Sequence, residues 1–216
     1  MKKAIDKILD ILLIFSYGLL IYSLIYTKYD YKYFESETIE NLKNYEYING
    51  IYIDKDIEYP NEGSVLIKEG LSLGGDLYKM YLKDNGYVIL TKDLTDGLIG
   101  NIQRKYKHNV IKIQEQPTEW YKKTSLHELG HYLDYKTNKS SHSLKFTNLY
   151  NKYKKIIYEL DSEIGNEEYI ISTREEFYAE MYSCYILEEE KLKDVSPEIY
   201  EYIQKDVKGV ENKCKK

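Results

Sequence analysis

Two histidines four residues apart, with a glutamate directly after the first, carry the first sign of chemistry. They are His127, Glu128 and His131, within Leu126-His127-Glu128-Leu129-Gly130-His131-Tyr132-Leu133-Asp134. On an α-helix, positions four apart lie on one face, one turn above the other. The two imidazoles then point at a common spot. That suits Zn²⁺, which takes neutral His nitrogens at roughly 2.0–2.1 Å and in catalytic sites keeps one position open to water. Glu128 projects beside that spot, where a carboxylate can take a proton from attacking water. The bare pattern also arises by chance on solvated helices. Here Leu126, Leu129, Gly130, Tyr132 and Leu133 are all uncharged, so the helix reads as buried. Two His and a Glu are costly there unless a metal or hydrogen bonds satisfy them. Gly130 costs about 1 kcal/mol relative to Ala inside a helix, which fits a place where another backbone passes close.

A two-His site needs a third protein ligand. His142 follows in a polar loop, too far along the chain and without a turn-forming Gly, and reads as a surface residue. Arg174 to Tyr182 is the better source: Phe177, Met181 and Cys184 recur at helical spacing, so this is a packed helix. Glu176 and Glu180 share one of its faces, while Glu175 lies about 100° round. One carboxylate of the pair can bind the ion. The other, a turn away, can hydrogen-bond the free ring nitrogen of a ligating His and fix its tautomer. An ordinary solvated acidic face would carry the same residues.

His127-Glu128-Leu129-Gly130-His131 followed by Glu176-Phe177-Tyr178-Ala179-Glu180 resembles the catalytic domain of the anthrax lethal factor type of zinc metallopeptidase, the family that includes the clostridial Pro-Pro endopeptidases. The resemblance covers Leu126 to Tyr182. It implies a zincin-like fold and one Zn²⁺ per chain, held by His127, His131 and Glu176. It further implies Glu128 as the general base and Glu180 orienting a ligating His. Tyr169, seven residues before Glu176, takes the place of a family Tyr near the zinc and would donate a hydrogen bond to the oxyanion. Asp134 could orient His131 in the same way as Glu180, or be a solvated Asp. The activity implied is hydrolysis of peptide bonds in protein or peptide substrates, at Pro-containing sites in part of the family. Tyr178 stands where the family has Phe, and the family's secreted members have cleaved signals.

The elements that must position these residues follow from periodicity. Ile51–Ile53, Ser64–Ile67, Tyr87–Leu90 and Val110–Gln114 read as strands, the second entered through a turn at Tyr59–Gly63. Asp76–Lys83 reads as a short helix ended by Asp84-Asn85-Gly86, and Asp93–Lys107 as a helix with Leu94, Leu98, Ile99, Ile102 and Tyr106 on one side. The active helix is expected to begin at Thr124 or Ser125, either of which could cap it. A further helix is expected over Leu144–Leu160. The fold class is therefore α+β: a small twisted sheet, then the active-site helix, then a mainly helical C-terminal part. Val110–Gln114 is the expected edge on which an extended peptide could lie.

The chain has 216 residues, 31% of them charged, and a net charge of −5. That supports one globular domain and argues against nucleic acid as partner, since no basic stripe stands out. Cys184 and Cys214 have no metal-binding spacing, and Cys184 reads as a small buried hydrophobe. Lys2, Lys3 and Lys7 precede an uncharged run from Ile11 to Tyr26. Residues 1–27 are therefore expected to be one uncleaved transmembrane helix, with the rest of the chain outside the cell membrane. Secretion after signal cleavage is the competitor. Residues 28–49 are expected to form a juxtamembrane tether, entering a helix at 36–44, and 50–216 the peptidase domain. Alternatives in other classes are a cytosolic HExxH regulatory protease of a mobile element, a catalytically silent binding module, and a structural membrane protein with a fortuitous motif. Membrane fractionation separates the first, and metal content the last.

Overall fold

The computed structural model of the chain describes residues 42–94, 98–105, 108–160 and 167–214. The expected membrane anchor, and the tether before residue 42, lie outside the described residues. Among the described residues, no helix is long and apolar enough to cross a membrane. Residues Asn44–Lys216 form one compact unit.

The unit opens with a hairpin, β1 (Glu46–Ile48) and β2 (Ile51–Ile53), so the first strand falls within the stretch expected as tether. Asn49 and Gly50 join the strands with φ of 54° and 91°, the left-handed pair that a two-residue hairpin turn requires. Helix α1 (Pro60–Leu73) follows, with Pro60 in its first turn, where a missing N–H costs nothing. The strand expected at Ser64–Ile67 is therefore helical. Gly63, Ser64, Ile67, Gly70 and Leu71 are buried, at intervals of three and four rather than two. A four-residue apolar run suits either period, and Pro60 sets the helix.

Helix α2 (Gly75–Lys83) and strand β3 (Gly86–Thr91) stand as expected. The expected helix over Asp93–Lys107 does not form: Gly100–Lys105 is strand β4, paired antiparallel with β5 (His108–Gln114). Leu98 and Ile102, four apart, share a face under either period, so their spacing could not separate helix from strand. The sheet order is β1-β2-β3-β5-β4, with β2, β3 and β5 parallel and the outer pairings antiparallel. Thus β5 is interior, not the expected edge, and β4 forms the rim. Tyr81 of α2 is buried beneath it: its hydroxyl accepts from Ile111 N at 3.0 Å and donates to Tyr87 O at 2.5 Å.

Next comes α3 (Tyr121–Lys136), which starts before the expected Thr124 or Ser125. Neither residue caps it. Ser125 Oγ donates to Tyr121 O at 2.6 Å, inside the helix. The expected helix from Leu144 to Leu160 is shorter: α4 (Leu144–Tyr153), capped by Ser143, passes into a 3-10 turn at Lys154–Tyr158. Then follow α5 (Glu167–Ile170), α6 (Arg174–Leu187), α7 (Glu189–Val195) and α8 (Pro197–Cys214). The described chain is α+β as expected, a small mixed sheet followed by helices.

The core joins Val88, Leu90, Ile111 and Ile113 of the sheet to Leu126, Leu129, Tyr132 and Leu133 of α3. Two glycines set how closely α3 is held. A Cβ on Gly70 of α1 would lie 2.7 Å from Lys122 Cα, and one on Gly130 would lie 2.8 Å from both Cα and O of Ala179 in α6. Both obstacles are backbone and cannot swing aside. Gly130→Ala should therefore lose roughly 1–2 kcal/mol in urea unfolding. Overpacking costs roughly 1–3 kcal/mol, toward the upper end against rigid backbone, and improved helix propensity returns about 1 kcal/mol. Stability at or above wild type would show that α3 and α6 can separate freely.

Candidate active site

Helix α3 presents His127 and His131 one turn apart, with ring centroids 5.0 Å apart and planes at 79°. Facing them is α6, started by Thr173, whose hydroxyl accepts from Glu176 N at 3.2 Å. The cap fixes the first turn and with it the backbone of Glu176. One oxygen of that residue, Oε2, lies 3.1 Å from His127 Nε2 and 3.3 Å from His131 Nε2. Among the described residues these three side chains form the one cluster whose donor atoms could share a metal ion, all within 4.8 Å of one another. Two donors held at about 2.0–2.1 Å in tetrahedral directions lie about 3.3 Å apart. The His–Glu separations match that spacing, so the residues fit a divalent ion.

The other ring nitrogen of His127, Nδ1, lies 3.0 Å from Glu180 Oε2. A carboxylate only accepts, so Nδ1 donates to Glu180; Nε2 faces Glu176, and an ion held there would take the place of the Nε2 proton. Glu180 is fully buried, and its second oxygen pairs with Lys123 Nζ at 3.0 Å. Burial alone would lower the pKa of His127, but hydrogen bonds to Glu176 and Glu180 outweigh it and push the value up to about 10. Burial would raise both carboxylates. The two imidazoles instead hold Glu176 below the usual range, and His127 and Lys123 do the same for Glu180.

Glu128 is 4% exposed, and its Oε2 has no hydrogen-bond partner among the described residues. Burial raises its pKa, with partial offset from His131 and His127. The sheet rim passes directly over it: a Cβ on Gly100 of β4 would lie 2.7 Å from Glu128 Oε1. Sequence reasoning missed Gly100, although a Gly inside a strand signals close approach of another group.

Gly100, Glu128, His131 and Glu176 line a cleft of about 330 Å³ together with Asn101, Ile102, Lys139, His142 and Tyr169. Tyr169, on α5, is 38% exposed. Burial, then the charge of Glu176, raises its pKa, so the phenol stays a protonated donor. Asp134 neither orients His131 nor faces solvent: its carboxylate is buried and accepts from Ser141 N at 2.7 Å and Ser141 Oγ at 2.8 Å. Glu175 turns away from the imidazole pair to His142, which is exposed as expected but sits at the cleft mouth. Cys184 is a buried free thiol.

The sequence model of the family described as anthrax toxin lethal factor, N- and C-terminal domain, matches residues 83–206. Among solved structures, the Pro-Pro endopeptidase PPEP-2 from Paenibacillus alvei is similar in fold, with a TM-score of 0.52 at 18% identity. The match covers 72% of this chain and 96% of that one. No curated protein matches.

The geometry separates two adjacent acids. Glu176→Ala should weaken metal binding by a hundredfold or more, about 2.7 kcal/mol at 1.36 kcal/mol per factor of ten, while Glu175→Ala should stay near wild type. Chelator competition reads both, and the reverse order would move the ligand by one residue.

Proposed function

Because the chain belongs to the anthrax toxin lethal factor family, we propose that it is a zinc endopeptidase whose ion is held by His127, His131 and Glu176, one per chain. Membership makes it a metalloendopeptidase with protein or peptide substrates. The observation that carries the zinc reading is the pair of Nε2 atoms converging on a single Glu176 oxygen beside a buried, unpartnered Glu128 oxygen. Two imidazoles and one carboxylate are a donor set used in catalytic zinc sites. When bound there, the ion supplies Lewis acidity that polarises a carbonyl and makes water acidic near neutral pH.

The protein groups then divide the work. Glu128 has a raised pKa because it is buried, which makes it the stronger base; it accepts the proton of the attacking water and passes it to the leaving amine. Tyr169, kept protonated, donates a hydrogen bond to the oxyanion. Glu180 holds the tautomer of His127. The rim strand β4 borders both Glu128 and the cleft, and there an extended peptide can add as a further strand.

We further propose that residues 1–27 anchor the chain in the cell membrane, that the residues between them and the hairpin at Glu46 tether it, and that the peptidase domain lies outside. The support is the uncharged run from Ile11 to Tyr26 behind three lysines. Cleavage at Pro-containing sites is supported by the fold's likeness to a Pro-Pro endopeptidase.

Glu128→Ala should lower peptide hydrolysis by about 10²–10⁴-fold with metal content unchanged. Retained activity would remove Glu128 as the base. An unbiased peptide library incubated with the full chain is expected to return bonds flanked by Pro. Cleavage only at sites without Pro would strike out that preference and leave the peptidase reading standing. Fractionation of cells making the full chain should place it with membranes, and recovery in the cytosol would overturn the anchor.

A further inference from the structure

One buried charge near the site has no part in the reaction described above. Lys122 and Lys123 are adjacent on the first turn of α3. Lys122 Nζ reaches the exposed Glu69 at 2.7 Å. Lys123 turns inward and is only 7% exposed. It stands one helical turn before His127 on α3, so both point at α6. There they hold opposite ends of one carboxylate, Lys123 Nζ at 3.0 Å from Glu180 Oε1 and His127 Nδ1 at 3.0 Å from Oε2. Across the helix junction, Ser183 Oγ donates to Lys123 O at 3.4 Å.

We propose that Lys123 is a positioning residue for the metal centre, acting through Glu180 to set the orientation of the carboxylate that holds His127. The inference rests on the zinc-site reading above.

Two physical reasons support the assignment. The first is geometric. A carboxylate with a single partner can turn about its last bond, and with it the ring it holds. Pinning Oε1 leaves Oε2 one direction to face, toward Nδ1. The second is charge. Glu128, Glu176 and Glu180 gather three carboxylates around the two imidazoles, and Lys123 is the cation that meets Glu180. Glu188 and Cys184 also act on Lys123 from the α6 side. Burying an ammonium is costly unless it is paired, and here the pair lies directly behind a metal ligand. Partners of ligating histidines typically matter 10–100-fold in metal affinity.

The test is a chelator-competition titration of the full chain with Zn²⁺, on wild type, Lys123→Met, Glu180→Gln and the double variant. Lys123→Met should bind zinc about tenfold more weakly and Glu180→Gln up to a hundredfold more weakly. The double variant should match Glu180→Gln alone, because with Glu180 neutral the lysine has nothing left to act through. Wild-type affinity in Lys123→Met, or a further loss on adding it to Glu180→Gln, overturns the proposal; a packing role predicts that further loss. Should Lys123→Met fail to fold, Lys123→Arg and the double variant decide. Arg keeps the charge and should hold affinity within about threefold, the double variant should equal Glu180→Gln, and failure of either overturns the proposal. Wild type that binds no zinc would instead sink the site reading itself.

Discussion

The close approach of α3 and α6 is the constraint on which the site depends. At Gly130 the two helices touch backbone to backbone, since a Cβ there would lie 2.8 Å from the main chain at Ala179. A glutamate has a short reach. At the ordinary interaxial spacing of about 8–10 Å, one carboxylate oxygen would struggle to lie within contact of two imidazoles on the opposite helix. With a glycine against an alanine the helices close up, and Glu176 and Glu180 flank Ala179 by three residues before and one after. Gly70 against Lys122 does the same on the other side of α3, so the active helix is clasped between two neighbours.

Within that clasp, the charges are arranged so that each buried group has a partner from another element. His127 bridges two carboxylates of α6, Glu180 bridges His127 and Lys123, and Asp134 takes two donors from Ser141. Unpartnered, each would be expensive in a low-dielectric interior. The buried oxygen of Glu128 departs from this rule. A buried acceptor left unpaired at the floor of a cleft is what a base needs before its substrate arrives. A glycine, Gly100, lets the rim strand pass this close, since a Cβ there would lie 2.7 Å from Glu128 Oε1.

The errors in reading the fold share one cause. Leu98 and Ile102 lie four apart, and four is close to both one helical turn and two strand repeats. The chain there is strand because β5 offers it a full antiparallel ladder from Gly100↔Ile113 to Lys105↔His108, a partner no local pattern reveals. Ser64–Ile67 failed the other way: four apolar-leaning residues suit a strand until Pro60 and the burial of Gly70 and Leu71 extend the pattern to a helix. Placing β4 outside β5 then moved the sheet's edge from Val110–Gln114 to Gly100–Lys105.

Chemistry whose parts lie within one helix was legible in the sequence. The separation of His127 from His131, the place of Glu128 and the shared face of Glu176 and Glu180 follow from 3.6 residues per turn, whatever the rest of the chain does. Gly130 announced that a backbone would pass, though not whose. What tertiary structure alone decided was every relation between helices. It selected Glu176 over Glu175 for the imidazoles, turned Lys123 inward and Lys122 out, and drew Asp134 to Ser141 instead of His131. Helical geometry gives the direction of a side chain about its own axis, but only packing of one axis against another gives the distance, and coordination depends on distance.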